Sequence, residues 1–258
     1  MRAENDKARV LTVWGGSGSG KTTLVAKLAA ESEARGADTV VLLCDDVVPE
    51  MPMLSEFEGE DETRRSLGLL LDMAGDDMTG DAVYDSLVIK KGFSHTAFLG
   101  YAYGENLLSY PPPTKGQAKA VLSAIRDICE VAIVSAPTAF CTSTLAMTAA
   151  SASDLSACLV TPDIKSLAFL FSNGALFPAY ADKQVRILNH PENIQAMYDW
   201  GSYPSDFVLP FSAEISGQGR ERRLLESVSS AGGMAYRQAV SDIYDLFAAA
   251  KEDEVHEG

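Results

Sequence analysis

The sequence predicts an α/β fold with a mainly parallel sheet and helices on both faces. A short apolar run from Val10 to Trp14 leads through a glycine-rich loop into a helical pattern that begins at Lys21. Further apolar runs rich in β-branched residues alternate with helix-length segments along the rest of the chain. This alternation is typical of parallel sheets, whose ligands bind at the carboxyl ends of the strands.

The first predicted unit is a strand, a loop and a helix. Val10 to Trp14 reads as a buried strand, and the helix from Lys21 to Ala34 places residues 24, 25, 28 and 29 in helical phase. Thr39 to Cys44 is a second strand rich in β-branched residues. Two parallel strands joined by a helix predict a right-handed βαβ crossover.

The pattern is looser from Val47 to Gly92, which we interpret as loop and helices over one sheet face. Within it, the acidic run from Glu56 to Glu62 is typical of solvated surface. His95 to Gly100 is a candidate strand. Thr114 and Gln117 then form a predicted capping box for a helix whose apolar face is 118, 121, 122, 125 and 128.

The second half of the chain alternates regularly. The predicted strands are Val131 to Ser135, Cys158 to Thr161, Val185 to Asn189 and Phe207 to Pro210, and the last helix runs from about Gly233 to Ala250. We expect a single domain over residues 1–258, with flexible tails at 1–8 and 251–258.

The charge balance disfavours anionic partners. With 21 basic and 36 acidic residues, the formal net charge is −15, which repels nucleic-acid backbones and anionic lipid heads. The sequence has no run of eighteen apolar residues, and Met1 to Arg9 is polar. We therefore expect a cytoplasmic protein that neither binds nucleic acid nor inserts into a membrane.

The cysteines and histidines indicate no metal centre. Cys44, Cys129, Cys141 and Cys158 lie far apart, and three of them sit in or beside apolar runs, as reduced buried thiols do. The three histidines are scattered, without the spacing of metal ligands or of a catalytic triad.

An eight-residue Walker A pattern follows the first strand: Gly15, Gly16, Ser17, Gly18, Ser19, Gly20, Lys21 and Thr22. Its glycines let backbone N–H groups converge on phosphate oxygens at the positive end of a helix. Lys21 can reach the β and γ phosphates, and Thr22 offers a hydroxyl to Mg²⁺. The sequence thus predicts a P-loop NTPase fold that binds ATP or ADP with Mg²⁺ through Gly15 to Thr23.

With this loop in place, the later motifs resemble the MinD/ParA branch of P-loop ATPases, including its divergent pilus-localisation members TadZ and CpaE. In that family the second strand ends in Asp-x-Asp, and the corresponding residues here are Cys44-Asp45-Asp46. The resemblance implies that Asp46 is a catalytic residue together with Lys21. It also implies that Asp46 binds Mg²⁺, partly through water. Asp46 can also be read as a polar residue that ends a strand.

Later segments resemble the family motifs in the expected order. Val160-Thr161-Pro162-Asp163 with Ser166 resembles its Thr-Pro-Glu/Asp segment. Ile187-Leu188-Asn189 and Leu209-Pro210-Phe211-Ser212 resemble the two segments that flank the adenine base, which implies base contacts by Asn189, Pro210 and Phe211. Asn189 is also compatible with a turn residue before His190-Pro191.

Two positions depart from the family pattern. Gly16 stands where the family has an extra lysine that reaches the partner's phosphates in the dimer, and Ser135 stands where the Walker B aspartate ends its strand. Each electrostatic group aimed at developing charge is worth on the order of 3 kcal/mol, or roughly a hundredfold in rate. The departures therefore predict slow hydrolysis or none, with Ser135→Asp as the informative substitution.

Three functions follow from these motifs. The first is an ATPase switch that forms a homodimer and docks an unknown protein of a pilus, secretion or conjugation apparatus. The second is a nucleotide-binding scaffold without hydrolysis. The third is a small-molecule kinase, for which Arg220, Arg222 and Arg223 would supply the basic lid. The acidic segment from Lys251 to Gly258 is unlike the basic membrane helix that ends MinD.

Four aromatic residues allow two interpretations. Trp14 and Trp200 suit packing better than base stacking, and Tyr101 and Tyr103 suit either core packing or an exposed partner loop.

Overall fold

The computed structural model describes residues 8–57, 65–75, 77–173, 182–189 and 205–249. The strands are β1 (Arg9–Gly15), β2 (Thr39–Leu43), β3 (Val88–Ile89), β4 (Thr96–Gly100), β5 (Val131–Ser135), β6 (Leu155–Val160), β7 (Gln184–Asn189) and β8 (Phe207–Leu209). The helices are α1 (Lys21–Arg35), α2 (Met51–Leu54), α3 (Leu67–Ala74), α4 (Gly80–Asp85), α5 (Lys115–Ile128), α6 (Thr144–Ser151), α7 (Ile164–Ser172), α8 (Ala213–Arg220) and α9 (Ala231–Ala249).

The described strands form one sheet in the order β3-β4-β2-β5-β1-β6-β7-β8. All neighbouring strands are parallel except β3, which pairs antiparallel with β4 at the edge. The predicted α/β fold with a mainly parallel sheet is therefore confirmed. The two-residue strand β3 was not predicted, because so short an edge strand carries no periodic pattern.

Strand β5 lies between β1 and β2, although it begins almost ninety residues after β2 ends. It pairs Ser135 with Val13 on one side and with Leu43 on the other. The carboxyl ends of β1, β2 and β5 are therefore adjacent, and the loops that follow them meet at one edge of the sheet. This edge is where ligands bind in open α/β sheets.

The core has two halves, one on each face of the sheet. Val10 and Trp14 belong to the half that packs against α3, α5 and α6, whereas Leu11 and Val13 belong to the half that packs against α1 and α9. The expectation that Val47 to Gly92 covers one face is wrong in part: α2 packs on the α1 side, and α3 packs on the opposite side. Strand pleating produces this division, since successive side chains point to opposite faces.

Several local predictions are confirmed. Thr114 and Gln117 form the capping box of α5, and the buried stripe of that helix includes Ala118, Val121, Leu122 and Ile125. Cys44, Cys129 and Cys158 are buried free thiols, and Cys141 is exposed. The expectation that the cysteines and histidines form no metal centre stays a prediction: within the described ranges no group of three or more histidine, cysteine and acidic side chains has that arrangement.

Trp14 is a packing residue, as predicted. Its ring stacks on Phe140 at 5.2 Å between centroids, and its indole N–H donates to Ser156 Oγ at 2.9 Å. Strand β6 begins at Leu155, where it pairs with Leu11 of β1, and not at Cys158 as predicted. Ser156 interrupts the apolar run, but its hydroxyl is buried and hydrogen-bonded within the sheet.

The two tyrosines differ in environment: Tyr101 is 6% exposed and Tyr103 is 82% exposed. Trp200, most of the acidic run, residues 1–7 and residues 251–258 lie outside the described residues. Ala8, at the end of the first predicted tail, is described and buried. Across the described helices, none is both long enough and apolar enough to cross a bilayer.

Candidate functional site

The loop from Gly15 to Thr23 connects β1 directly to α1. Gly18 and Gly20 adopt φ angles of 75° and 97°, in the left-handed region that favours glycine. Gly20 is the N-cap of α1 and provides no side-chain hydrogen bond to the first turn. The first N–H groups of α1 are thus left without a side-chain cap, which is the arrangement that binds phosphate at a helix N-terminus.

Neighbouring strands hold this loop in place. A Cβ atom on Gly15 would lie 2.4 Å from the carbonyl oxygen of Leu159, so β6 leaves no room for a side chain there. Asn189, at the end of β7, donates from Nδ2 to the carbonyl oxygen of Ser19 at 2.9 Å. Asn189 therefore positions the loop, a role that sequence reasoning did not assign to it.

We expect Gly20→Ala to destabilise the protein more than Gly18→Ala. Both substitutions force a left-handed backbone, costing about 1 kcal/mol or more each. The new Cβ at position 20 would also lie 2.3 Å from Asn189 Nδ2, whereas nothing lies within 4 Å of the one at position 18. Losing the bond from Asn189 to Ser19 adds roughly 1 kcal/mol. Urea denaturation measures the difference, and equal losses in the two variants would contradict it.

The Lys21 ammonium is buried at the mouth of the loop. Its Nζ donates to the carbonyl oxygens of Gly15 and Gly16 at 3.1 Å each and to Thr138 Oγ1 at 3.3 Å. Burial lowers the pKa of Lys21, and the negative charges of Glu50 and Asp45 oppose that shift. The cation is therefore already largely desolvated and oriented on the backbone of the loop.

Glu50 is the site residue that sequence reasoning missed. Its Oε1 accepts hydrogen bonds from Thr22 Oγ1 at 2.6 Å and from Ser135 Oγ at 3.0 Å. The residue is 5% exposed, and its second oxygen, Oε2, is buried without a hydrogen-bond partner. Burial raises the pKa of this carboxyl, and the two hydroxyl donors act against that rise.

No sequence signal identified Glu50, because it lies in the loose segment after β2 and belongs to no motif. The nearest available sign was its position four residues after Asp46, in the loop that leaves the carboxyl end of β2. Its contacts reach 28 and 85 residues along the chain, so only the folded sheet brings them together.

Asp45 and Asp46 both lie beside the loop, in different environments. Asp45 Oδ1 accepts hydrogen bonds from the backbone N–H groups of Val47 and Val48 at 3.0 Å and 2.8 Å. Asp46 is half-buried, and burial raises its pKa, with a further contribution from the charge of Asp45. The catalytic role of Asp46 stays a prediction, since Asp45 and Glu50 are the carboxylates that act on Lys21.

Two cavities flank the loop. One, of about 570 Å³, is lined by Ser17, Asp45, Asp46 and Thr138, among others. The other, of about 770 Å³, is lined in part by Thr22, Thr23, Glu105 and Arg222. Pockets of a few hundred Å³ hold small molecules and cofactors, so there is room for a ligand on both sides of the loop.

The three arginines considered for a kinase lid have different contacts. Arg222 lines the larger cavity, and its Nε donates to the carbonyl oxygen of Pro52 at 2.6 Å. Arg223 pairs with Glu221 and Glu226 on the surface. Arg220 is exposed at the end of α8. The described structure thus brings one of the three, Arg222, next to the phosphate loop.

Asn189 and the Pro210-Phe211 pair follow neighbouring strands. Asn189 pairs in register with Leu209, which precedes Pro210 at the end of β8. Phe211 is half-buried and precedes Ser212, the N-cap of α8. These residues share the carboxyl edge of the sheet with the phosphate loop, and their contact with an adenine base stays a prediction.

The Thr161 segment that resembled a family motif is a helix cap. Asp163 caps α7 by accepting from the N–H groups of Lys165 and Ser166. Thr161 donates to Asp163 Oδ2 at 2.6 Å, and its own N–H donates to Ser166 Oγ at 2.9 Å. The contacts explain why these residue types occur at this spacing.

The residues around the loop fit a Mg²⁺-nucleotide. Two buried polar atoms here have no hydrogen-bond partner among the described residues: Ser19 Oγ, which lies in the loop, and Glu50 Oε2, which lies beside it. Hydroxyl and carboxylate oxygens are the ligands that Mg²⁺ prefers, and Thr22 and Glu50 supply one of each. The loop amides and Lys21 supply the complementary donors for phosphate.

The sequence matches no protein-family model, and no curated protein is significantly similar to it. Solved structures do share its fold. The cell division ATPase MinD of Pyrococcus furiosus is 19% identical, with a TM-score of 0.72 over 93% of this chain and 99% of that one. The septum site-determining protein MinD of Pyrococcus horikoshii OT3, solved with Mg-ADP, is 16% identical, with a TM-score of 0.69 over 95% and 98%.

A ParA family ATPase from Chlorobium tepidum TLS is also similar, at 12% identity and a TM-score of 0.71 over 91% of this chain and 97% of that one. Identities this low show the fold alone, because one fold can carry several activities. The chain has the α/β P-loop fold of the MinD and ParA ATPases.

Proposed function

We propose that this protein is a MinD/ParA-like switch that binds ATP or ADP with Mg²⁺ and hydrolyses ATP slowly or not at all. The observation that carries the proposal is the phosphate loop, whose uncapped helix start and buried Lys21 lie at the carboxyl edge of the sheet. The similar MinD of Pyrococcus horikoshii was solved with Mg-ADP, which supports the same ligand class here.

In this proposal each group at the loop has a defined task. The N–H groups of residues 16–22 bind the phosphates, and the Lys21 ammonium leaves the carbonyl oxygens of Gly15 and Gly16 to contact them. Thr22, and Asp46 partly through water, would hold Mg²⁺, which when bound would neutralise phosphate charge. Asp46 orients water at the loop, and Asn189 keeps the loop in register with β7.

Slow turnover follows from the two departures at positions 16 and 135. Gly16 has no cation to offer, and the Phe169 ring lies 3.5 Å from the place where its Cβ would be. Ser135 is buried and uncharged, and its hydroxyl is bonded to Glu50. A nucleotide-bound scaffold without hydrolysis is the second candidate, and the same two residues favour it.

We further propose that the nucleotide state sets the conformation of the loop after Asp46. This conformation would control dimerisation and docking to a protein of a pilus, secretion or conjugation assembly, as the resemblance to the TadZ and CpaE branch implies. Val47 and Val48 support this, because both are about half exposed beside the loop although they are apolar. Sedimentation with ATP and with ADP would measure the dimer. Equal association in the two states would contradict a nucleotide-controlled switch.

Direct binding tests the proposal. We expect ATP and ADP to bind with Mg²⁺ in the micromolar range or weaker, measured by isothermal titration calorimetry. We expect phosphate release far below about 10 per second, the median for enzymes. Release at that rate or faster would contradict the slow switch, whereas bound ATP without any release would favour the scaffold. Failure of both nucleotides to bind would overturn the proposed function itself.

A further inference from the structure

We propose that Glu50 supplies the carboxylate that anchors the divalent cation, in place of the aspartate absent from position 135. The inference rests on the proposed function, since it concerns the cation that accompanies the nucleotide. It moves the anchoring charge from the end of β5 to the loop that follows β2.

The first support is the convergence of two hydroxyl groups on one carboxylate oxygen. Thr22, whose hydroxyl is the predicted cation ligand of the loop, donates to Glu50 Oε1 at 2.6 Å, and Ser135 donates to the same atom at 3.0 Å. A hydroxyl has one proton and two lone pairs. With its proton directed to Glu50, the Thr22 oxygen keeps its lone pairs for a cation.

The second support is the free oxygen of the same carboxylate. Glu50 Oε2 is buried and lacks a hydrogen-bond partner among the described residues. Leaving a buried carboxylate oxygen unpaired costs free energy, and such groups in native proteins call for an explanation in function or in an unseen ion. A divalent cation beside Thr22 would give this oxygen the direct partner that it lacks.

Lys21 is close enough to act on Glu50 electrostatically, but it does not contact this oxygen directly. Its Nζ donates to the carbonyl oxygens of Gly15 and Gly16 and to Thr138, and it makes no hydrogen bond to Glu50. Glu50 is also not committed to its own helix. It occupies the N-cap position of α2, but its side chain caps no backbone N–H there. The side chain therefore faces the loop without serving either structural purpose.

The test separates phosphate binding from cation binding. Affinity for a fluorescent ADP analogue is measured in EDTA and then in saturating Mg²⁺. The affinity in Mg²⁺ divided by the affinity in EDTA is the Mg²⁺-linked gain in affinity. In Glu50→Gln we expect this gain to fall about 10-fold or more, the usual effect of losing a group that supports a metal ligand. Affinity in EDTA should not fall, because the loop amides and Lys21 are unchanged and one negative charge near Lys21 is removed.

Glu214→Gln is the matched control. Glu214 also accepts hydrogen bonds from two hydroxyl groups, but it lies on α8 and those hydroxyls belong to Ser229 and Ser230, not to the phosphate loop or to β5. Its Mg²⁺-linked gain should equal that of the unmodified protein. If Glu50→Gln does not fold, Glu50→Asp replaces it: the charge is kept but withdrawn by one methylene, and a reduced gain is again expected.

The outcomes distinguish the inference from the function on which it rests. An undiminished Mg²⁺-linked gain in the folded Glu50 variant would overturn the inference and leave the nucleotide-binding proposal standing. Nucleotide binding in the unmodified protein without any effect of Mg²⁺ would do the same. Absence of nucleotide binding both in EDTA and in Mg²⁺ would overturn the proposed function and the inference together.

Discussion

Lys21→Met is expected to weaken ATP and ADP binding by about 100-fold or more, because hydrogen bonds from a charged group contribute about 1.5–3 kcal/mol each. Lys21 is 9% exposed, and its ammonium is already held on the loop by the carbonyl oxygens of Gly15 and Gly16. Its desolvation is therefore part of folding and adds little to the cost of binding. Calorimetric titration of both nucleotides measures the loss.

Methionine is chosen because it keeps the apolar stem of the side chain and removes only the charge. Lys119→Ala, on the exposed side of α5, is the control for changing one positive charge elsewhere. It should bind as the unmodified protein does. Equal affinities of Lys21→Met and the unmodified protein would show that the loop does not use this lysine for phosphate.

Ser135→Asp alone is expected to destabilise the nucleotide-free protein by about 3 kcal/mol, the usual scale for an uncompensated buried charge. Ser135 is fully buried, and its hydroxyl lies 3.0 Å from Glu50 Oε1. An aspartate there would place two carboxylates next to each other. Either one of them takes up a proton, or their repulsion destabilises the folded protein. This single substitution therefore does not simply restore a missing group, as the sequence had suggested.

The double variant Ser135→Asp with Glu50→Gln removes the second charge. We expect its free energy of unfolding to exceed that of Ser135→Asp alone by about 2 kcal/mol, a non-additivity typical of residues in contact. Urea denaturation of the two single variants and the double variant measures this coupling. Strictly additive losses would mean that the two positions do not interact.

Local patterns in the sequence predicted most elements of the fold closely. β5 was predicted at its observed bounds, and α1 and the capping box of α5 were predicted within a residue. These elements carry their own signals, namely β-branched apolar runs, helical periodicity and capping residues. Strand β6 was predicted three residues too short at its start, because a buried serine looks polar until its indole partner is known.

The candidate site was predicted only in the part that is contiguous in sequence. Lys21 and Thr22 stand in a motif, so their chemistry can be inferred from spacing alone. Glu50 belongs to no motif and was missed, and Asp46 was favoured over it because of a family resemblance. The serine at position 135 was interpreted as a lost charge, although the structure places the carboxylate of Glu50 against it.

The sequence by itself determined that a glycine-rich loop joins a buried strand to a helix, and hence that the chain can offer backbone N–H groups and a lysine to phosphate. Only the tertiary structure decided which carboxylate accompanies that loop, because β5 inserts between β1 and β2 and brings Ser135, Thr22 and Glu50 into contact. The physical reason is that strand order depends on packing between segments far apart in the chain, and no local pattern of residues encodes it.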